Sequence, residues 1–256
     1  MKNIFCIARA TFRESIRSKI LFIVLFFALL LVSISAFFGA VSLGDQIHVI
    51  MDFGLFGISI FTVAYSVIAG STLLYKELHR KTIYNIVSKP VRRWEFIVGK
   101  QLGLLLTSYV MIALMGVGLI LFLRCFESSF KWEILTACAY ISLELIVVTS
   151  FTMFFAAIVV TPVLSGLFAF GVFLAGRSIG YIGELKELIK TESGQTVLNV
   201  LEKVLPHLEK LNVADQIVYS VAIPFEHFAY GLFYALTYST VVLIIASLIF
   251  SRREFV

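Results

Sequence analysis

Six long apolar runs, separated by shorter polar segments, dominate the pattern of the chain. Each run has about 20 or more mostly apolar residues, the length that an α-helix needs to cross a bilayer. Because backbone groups in hydrocarbon must satisfy their own hydrogen bonds, and alternating barrel strands are absent from the sequence, the pattern predicts an all-α membrane protein with one membrane domain. The predicted spans are Ile20–Val41, Phe53–Leu74, Phe96–Leu123, Ile134–Val160, Val163–Ile182 and Phe225–Phe250.

Composition excludes a water-soluble globule. The 256 residues are 60% hydrophobic and only 14% charged, too few polar side chains to cover a soluble surface. The first apolar run and its polar leader are both longer than those of a cleaved secretory signal, so we expect the first span to be retained. The three cysteines fall in three different settings, which predicts neither a disulfide framework nor a cysteine metal site.

The polar leader, residues 1–19, has apolar residues at roughly helical spacing and arginines four residues apart at Arg9, Arg13 and Arg17. This spacing favours an amphipathic helix that lies in the membrane interface, with its arginines toward lipid phosphates. A simple positively charged flank that sets topology remains the alternative.

Topology follows from the distribution of Lys and Arg beside the spans. With six spans, one side of the membrane carries fourteen basic and four acidic residues, and the other carries seven basic and eleven acidic residues. The basic side includes both chain ends. We therefore expect a multi-pass protein of the cell (inner, cytoplasmic) membrane with both termini in the cytoplasm. The basic residues cluster beside spans, where anionic lipid explains them, so no nucleic-acid partner is predicted.

A basic segment, Tyr75–Lys100, lies between the second and third spans and holds seven of the 21 Lys and Arg residues. Apolar residues at 78, 83, 86 and 87 form one narrow strip, which predicts a short amphipathic helix that ends before Pro90. Arg92, Arg93 and Trp94 then mark the headgroup level at which the third span begins. A helix that only lies on the membrane would show the same pattern.

The same segment fits the pattern E-x4-T-I-x2-I-x3-P-x2-R-W-E-x3-G-K, which resembles the cytoplasmic loop of type-2 ATP-binding-cassette permeases, the membrane subunits of a large exporter class. The basic leader, the six spans and the ending Ile249–Phe255 resemble that family as well. The matching residues are Glu77, Thr82, Ile83, Ile86, Pro90, Arg93, Trp94, Glu95, Gly99 and Lys100.

The resemblance implies that Tyr75–Val87 contains a coupling helix that seats in a cleft of a cytoplasmic ATPase subunit. It assigns ATPase coupling to Glu77, Arg80, Thr82, Ile83 and Ile86. ATP and Mg²⁺ would be bound by two such ATPase subunits, and this chain would hold no cofactor. Because two nucleotide sites need two coupling sites, a second permease copy or a related permease is also implied.

The sequence itself lacks the motifs of the enzymes considered. A phosphate-binding loop needs G-x-x-x-x-G-K-[ST], but Gly99-Lys100 is preceded five residues earlier by Trp94 and followed by Gln101. The four histidines form no H-E-x-x-H zinc motif. We therefore expect no ATPase or metalloprotease activity in this chain, and an intramembrane enzyme of another kind is the least favoured reading.

Glu144, Lys100 and Arg177 are charged residues inside the predicted spans. Glu144 is about ten residues into the fourth span, and Arg177 lies toward the outer end of the fifth. Charges at such depth are usually paired or functional, so two hypotheses stay open: a Glu144–Arg177 ion pair, or a role in lining the transport pathway. In the third span, Gly99-x-x-x-Gly103 would permit close helix approach, although such small-residue pairs are common.

The segment between the last two spans, residues 183–224, is polar and helical in pattern. Apolar residues at 197, 201, 204, 208 and 211 share one face, and Pro206 should bend or split the helix. The segment is either a packed external hairpin or, as the family resemblance implies, a set of short outer helices that cap the central path.

The favoured function is therefore the permease subunit of an ATP-driven exporter. The alternative is a membrane scaffold or maturation factor that recruits a cytoplasmic partner without moving cargo, since the same basic loop would serve it.

Overall fold

The computed structural model describes residues 2–41, 46–79, 92–124, 132–159, 161–181, 192–218 and 224–252. Within these ranges all regular structure is helical, as the apolar pattern predicts. Short 3₁₀ turns occur at Ile179–Tyr181 and Leu208–Leu211. The α-helices are α1 (Lys2–Ile16), α2 (Lys19–Val41), α3 (Gln46–His79), α4 (Arg93–Leu123), α5 (Glu133–Ile158), α6 (Pro162–Arg177), α7 (Glu192–Val204), α8 (Ala214–Val218) and α9 (Phe225–Arg252).

Among the described residues, four helices are long and apolar enough to cross a membrane alone, namely α3, α4, α5 and α9. Helix α2 meets the same test only jointly with α1, from which it is bent by 58°. Helix α6 has 16 residues and ends at Arg177, short of the predicted span end at Ile182. At about 1.5 Å per residue it is about 24 Å long, less than the hydrocarbon thickness of about 30 Å. Helix length in the described residues thus supports four or five spans, against six expected.

Local chemistry explains where several helices begin and end. Ser18 separates α1 from α2, and its Oγ accepts a hydrogen bond from the backbone N–H of Ile20 at 3.3 Å. At the start of α4, Glu95 Oε2 accepts from the backbone N–H of Arg92 at 3.1 Å, half of a capping box. Helix α6 has Pro162 at its first position, and α7 ends two residues before Pro206.

Helix α1 forms in the polar leader, and its inward face packs against α4. Ala8, Thr11 and Ser15 are buried on that face, whereas the arginines at positions 9, 13 and 17 are exposed. The contact depends on two glycines of α4: a Cβ at Gly99 would lie 2.8 Å from Ile7 Cβ, and one at Gly103 would lie 2.5 Å from Thr11 Cβ. The predicted close approach at these glycines is therefore present, and the partner is the leader helix.

The centre of the bundle is α5. It packs against α3, α4, α6 and α9, and two thirds of its most apolar window is buried. Large apolar side chains on the outer faces of α2, α4, α6 and α9 remain exposed, among them Phe22, Phe26, Leu121, Leu167 and Phe233. An exposed apolar surface of this extent fits contact with lipid, which makes the chain a multi-pass membrane protein.

The polar segment between α6 and α9 packs into the bundle at its C-terminal end. Leu208 and Leu211 are almost fully buried against α5 and α6. A Cβ at Gly176 would lie 2.6 Å from the backbone oxygen of Pro206, so the glycine allows this segment to pass close to the end of α6. Leu201 and Val204, which share the expected apolar face, are exposed in this chain. The C-terminal end of this segment, residues 208–214, is thus packed into the bundle and is called the wedge below.

Candidate functional site

Three polar side chains from three helices meet in the interior of the bundle. Ser59 lies on α3, Glu144 on α5, and Arg177 is the last residue of α6. At about 1.5 Å per residue, Ser59 lies about 20 Å from the start of α3 and Glu144 about 17 Å from the start of α5. The cluster is therefore deep along both helices, where a charge is costly unless it is paired.

Ser59 bridges the two charges. The Arg177 Nη1 atom donates to Ser59 Oγ at 2.8 Å, and the Ser59 hydroxyl donates to Glu144 Oε2 at 3.2 Å. The direct approach of Arg177 Nη1 to Glu144 Oε1 is 3.9 Å, too long for a hydrogen bond. Because one hydroxyl both accepts and donates, the serine completes a charge-assisted chain that links α3, α5 and α6.

Burial is unequal within the Glu144–Ser59–Arg177 cluster. The side chain of Glu144 is 2% exposed and that of Arg177 is 21% exposed. Glu144 Oε1 has no hydrogen-bond partner among the described residues. The Arg177 guanidinium also lies 5.7 Å from the ring centroid of Phe173, within the range of a cation–π contact. The carboxylate is thus the member of the cluster that depends most on its neighbours.

A small cavity of about 10 Å³ adjoins the cluster on one side and residues 211–214 of the wedge on the other. Ser59, Tyr140 and Arg177 line it, together with Asn212. The hydroxyl of Tyr140 is buried and has no hydrogen-bond partner within the described ranges. A volume of about 10–15 Å³ is what one water molecule requires, so this polar gap has the size of a single hydration site.

Two further polar contacts join the helices around the cluster. The Gln101 carboxamide on α4 pairs with Thr149 Oγ1 on α5 at 2.8 Å in either orientation of the amide. Ser66 Oγ on α3 lies 2.8 Å from Ser108 Oγ on α4. Interhelical hydrogen bonds of this kind stabilise membrane bundles by about 1 kcal/mol each. They hold α3, α4 and α5 in the register that places Ser59 beside Glu144.

The expected ATPase-coupling residues lie mostly outside the described residues. This holds for Arg80, Thr82, Ile83 and Ile86. Glu77 belongs to the last turn of α3, but its side chain is not among those described. The coupling hypothesis therefore stays a prediction from the sequence.

The expected membrane-interface residues begin α4. Arg92 is exposed and immediately precedes the helix, and Trp94 is 44% exposed. Arg93 Nη1 donates to the backbone oxygens of Phe250 at 3.2 Å and Ser251 at 2.9 Å. Its charge thus lies at the C-terminal end of α9, where carbonyl groups favour a cation. Arg93 ties the first turn of α4 to the last turn of α9.

Ser59 is the member of the cluster that sequence reasoning missed. A serine in an apolar run carries little signal, because serine and threonine hydroxyls in membrane helices commonly donate to a backbone carbonyl of their own helix. Thr62 does so here, donating to Ile58 O at 2.6 Å. The sequence signal was the charge of Glu144, which required some polar partner without indicating which helix supplies it.

Comparison with known families agrees with this architecture. The family model described as ABC-2 family transporter protein matches residues 5–255, which is nearly the whole chain. The chain is a member of the ABC-2 transporter family. No curated protein matches the permease. As a member of this family, the permease is a transmembrane subunit of an ABC transporter, and such membrane subunits are generally not catalytic.

Within the described part of the permease, no three His, Cys, Asp or Glu side chains lie together in a metal-binding arrangement. Its Glu144–Ser59–Arg177 cluster contains an acid, a hydroxyl and a fixed cation. Such a cluster can hold helices in register, or present a carboxylate oxygen to a polar or cationic group that passes through the bundle.

Proposed function

We propose that the permease is the membrane subunit of an ATP-driven exporter, and that it couples ATP hydrolysis by a separate ATPase to movement of cargo. Two ATPase subunits, with their bound ATP and Mg²⁺, and a second permease copy or related permease would complete the transporter. The protein would lie in the cell membrane with both termini in the cytoplasm, as its charge distribution favours.

The observation that carries this proposal is the continuity of α3. The helix runs unbroken from Gln46 to His79, so at about 1.5 Å per residue it is about 51 Å long. That exceeds the hydrocarbon thickness of about 30 Å, so α3 is long enough to extend beyond the membrane core. Its C-terminal end leads directly into the basic segment that resembles the ATPase-coupling loop.

Helix α3 therefore connects the expected ATPase-coupling surface, where force would act, to the Glu144–Ser59–Arg177 cluster, where cargo would pass. Ser59 lies in the Glu144–Ser59–Arg177 cluster, and Glu77 begins the expected coupling surface eighteen residues later. The separation along the helix is about 27 Å. Because a helix transmits displacement along its axis, closure of the ATPases would move Ser59 relative to Glu144 and Arg177.

The six-span topology belongs to this proposal. Helix α2 would cross the membrane after the bend from an interfacial α1, and α6 would cross with its short length completed by the residues that follow Arg177. The buried leucines of the wedge, Leu208 and Leu211, support the placement of α6, because they fill the space beside its end. Export is the direction that the family resemblance favours.

ATPase capture tests the coupling assignment. We expect the double variant Glu77→Ala/Arg80→Ala to lose co-purification of its ATPase subunit, because it removes two charges from the expected docking helix. The measurement is the amount of ATPase retained by affinity-tagged permease, followed by ATP turnover of the captured complex. Stimulation of that turnover by a cargo candidate would support transport.

The matched control is Glu202→Ala/Lys203→Ala, which removes one acid and one base from α7. It should retain the ATPase in full. Equal loss in both variants, or full capture by the Glu77/Arg80 variant, would contradict the coupling role. Capture without any turnover that responds to cargo would favour the scaffold alternative.

Orientation is tested separately by labelling. In a variant without native cysteines, Lys81→Cys should react with a membrane-impermeant maleimide only after the cell is opened, because the basic segment faces the cytoplasm in the proposed topology. Lys203→Cys on α7 is the matched position and should react in intact cells. Labelling of position 81 in intact cells would overturn the topology and the coupling mechanism with it.

A further inference from the structure

A polar cavity of about 350 Å³ lies at the elbow between α1 and α2, against the C-terminal part of α3. Its wall includes three cationic side chains, from Arg17, Lys19 and Lys76, and one carboxylate, from Glu14. The elbow cavity therefore carries a formal charge of +2. Its other lining residues are Ser15, Ser18, Ile20, Ala69, Thr72 and Leu73.

The cationic side chains of the elbow cavity are not paired with its carboxylate. Within the described residues, the side chains of Arg17, Lys19 and Lys76 have no hydrogen-bond or ion-pair partner. Three cations without an acidic partner leave the cavity with a positive charge that a bound anion would neutralise.

The lining residues include the start of α2 at Lys19 and one face of α3. The α3 residues that line the cavity, at positions 69, 72, 73 and 76, have the i, i+3, i+4, i+7 spacing of a single helix face. Two helices thus present cations and hydroxyls to the same space.

The place of the cavity along α2 indicates where its ligand comes from. The helix is apolar from Ile20 onward, so Lys19 and Ser18 lie where a membrane helix meets the headgroups. Three of the lining residues, Ile20, Ala69 and Leu73, are apolar and would contact the glycerol and upper acyl carbons of a lipid. At headgroup level, the phosphates of anionic lipids are the anions that basic side chains meet.

We propose that the elbow cavity binds the phosphate of an anionic phospholipid headgroup. The phosphate accepts hydrogen bonds from Arg17 and Lys76, and the cavity volume lies within the range of small-molecule sites, about 300–1,000 Å³. The bound lipid links the α1–α2 elbow to α3. The site requires only that the elbow lies at headgroup level, so it stands whether or not the coupling loop binds an ATPase.

Lipid binding to the full-length protein tests the proposal. The protein is purified in a neutral detergent, and phosphatidylglycerol and phosphatidylcholine are compared by native mass spectrometry and by the midpoint of thermal unfolding. Phosphatidylglycerol should bind tightly and raise the midpoint, and phosphatidylcholine should do neither. Arg17→Gln/Lys76→Gln should bind phosphatidylglycerol about thirtyfold more weakly, since two nearby cations contribute about 1 kcal/mol each.

The matched control is Arg9→Gln/Arg13→Gln, which removes the same charge from exposed positions of α1 that do not line the cavity. It should bind phosphatidylglycerol almost as the unaltered protein does. If the Arg17/Lys76 variant does not fold, Lys19→Gln at an exposed cavity position should weaken binding about fivefold.

Three results would overturn the assignment. Equal weakening by the control pair would show that the basic leader attracts lipid without a site. Unchanged binding in the cavity variants would place the lipid elsewhere. A variant-dependent stabilisation by millimolar inorganic phosphate or glycerol 3-phosphate, equal to that by phosphatidylglycerol, would identify a soluble phosphate as the ligand.

Discussion

Replacing Arg177 with methionine is expected to lower the free energy of unfolding by about 3–5 kcal/mol, because it leaves a buried carboxylate without its cation. The Glu144 side chain is 2% exposed, and Ser59 would be its one remaining hydrogen-bond partner among the described residues. The measurement is denaturant or thermal unfolding in detergent, and this substitution should give the largest loss of stability of those considered.

Glu144→Gln removes the charge that needs compensation, so it should be milder than Arg177→Met. Arg177 is partly exposed, and its guanidinium can be hydrated once the carboxylate is gone. Adding Glu144→Gln to Arg177→Met should restore part of the lost stability, giving a coupling energy of about 0.5–3 kcal/mol in a double-mutant cycle. Additive effects of the two substitutions on the free energy of unfolding would contradict an interaction between Glu144 and Arg177.

Arg124→Met is the control for removal of an arginine. Arg124 is exposed and directly follows α4, so its replacement should change stability by less than about 0.5 kcal/mol. A loss similar to that of Arg177→Met would show that the effect comes from net charge or from the added methionine.

Transport assays separate the two hypotheses for Glu144. If the Glu144–Ser59–Arg177 cluster only holds helices in register, transport by Glu144→Gln should follow its stability. If Glu144 Oε1 meets cargo, transport should fall while stability and assembly are retained. A Glu144→Gln protein with unaltered assembly, stability and transport would remove both hypotheses.

Gly103→Ala is expected to destabilise the permease by about 1–3 kcal/mol, the usual cost of overpacking a close contact. The added Cβ would lie 2.5 Å from Thr11 Cβ and 2.7 Å from the backbone oxygen of Ala8. A backbone atom cannot rotate away, so α1 must shift from α4. The loss should appear although alanine is favoured over glycine in a helix by about 1 kcal/mol.

Gly171→Ala on α6 is the matched control, because a Cβ there would meet no atom within 4 Å. It should be neutral or slightly stabilising. Proteolysis of the leader adds a second measurement, since α1 released from α4 should be cleaved faster in Gly103→Ala alone. A Gly103→Ala protein as stable as the Gly171→Ala protein would contradict the packing of α1 on α4.

Some of the fold could be predicted because it depends on local composition. The long apolar runs produced helices at the expected places, since a helix satisfies its own backbone hydrogen bonds in lipid and the sequence lacks alternating barrel strands. The end of α6 is a clear departure. The apolar run continues to Ile182, but the helix stops at Arg177, where the buried segment after Pro206 packs against Gly176. That contact comes from about thirty residues away, so no local pattern reports it.

The candidate site could likewise be predicted only in part from the sequence. The charge of Glu144 in an apolar run was enough to predict that it needs a partner, and Arg177 was one candidate. The bridging serine depends on how α3 is rotated about its axis relative to α5 and α6. Such rotation results from packing and from contacts such as Gln101–Thr149, so it could not be read from spacing in any one helix.

The sequence by itself determined that the protein is helical, membrane-bound and similar to ABC-2 permeases, because hydrophobic length, charge bias and a loop motif are properties of consecutive residues. Tertiary structure alone decided that Gly99 and Gly103 receive the leader helix, that Ser59 joins Glu144 to Arg177, and that Arg17 and Lys76 share one cavity. Each of these arrangements involves residues far apart in the sequence, and only the packing of the helices brings them together.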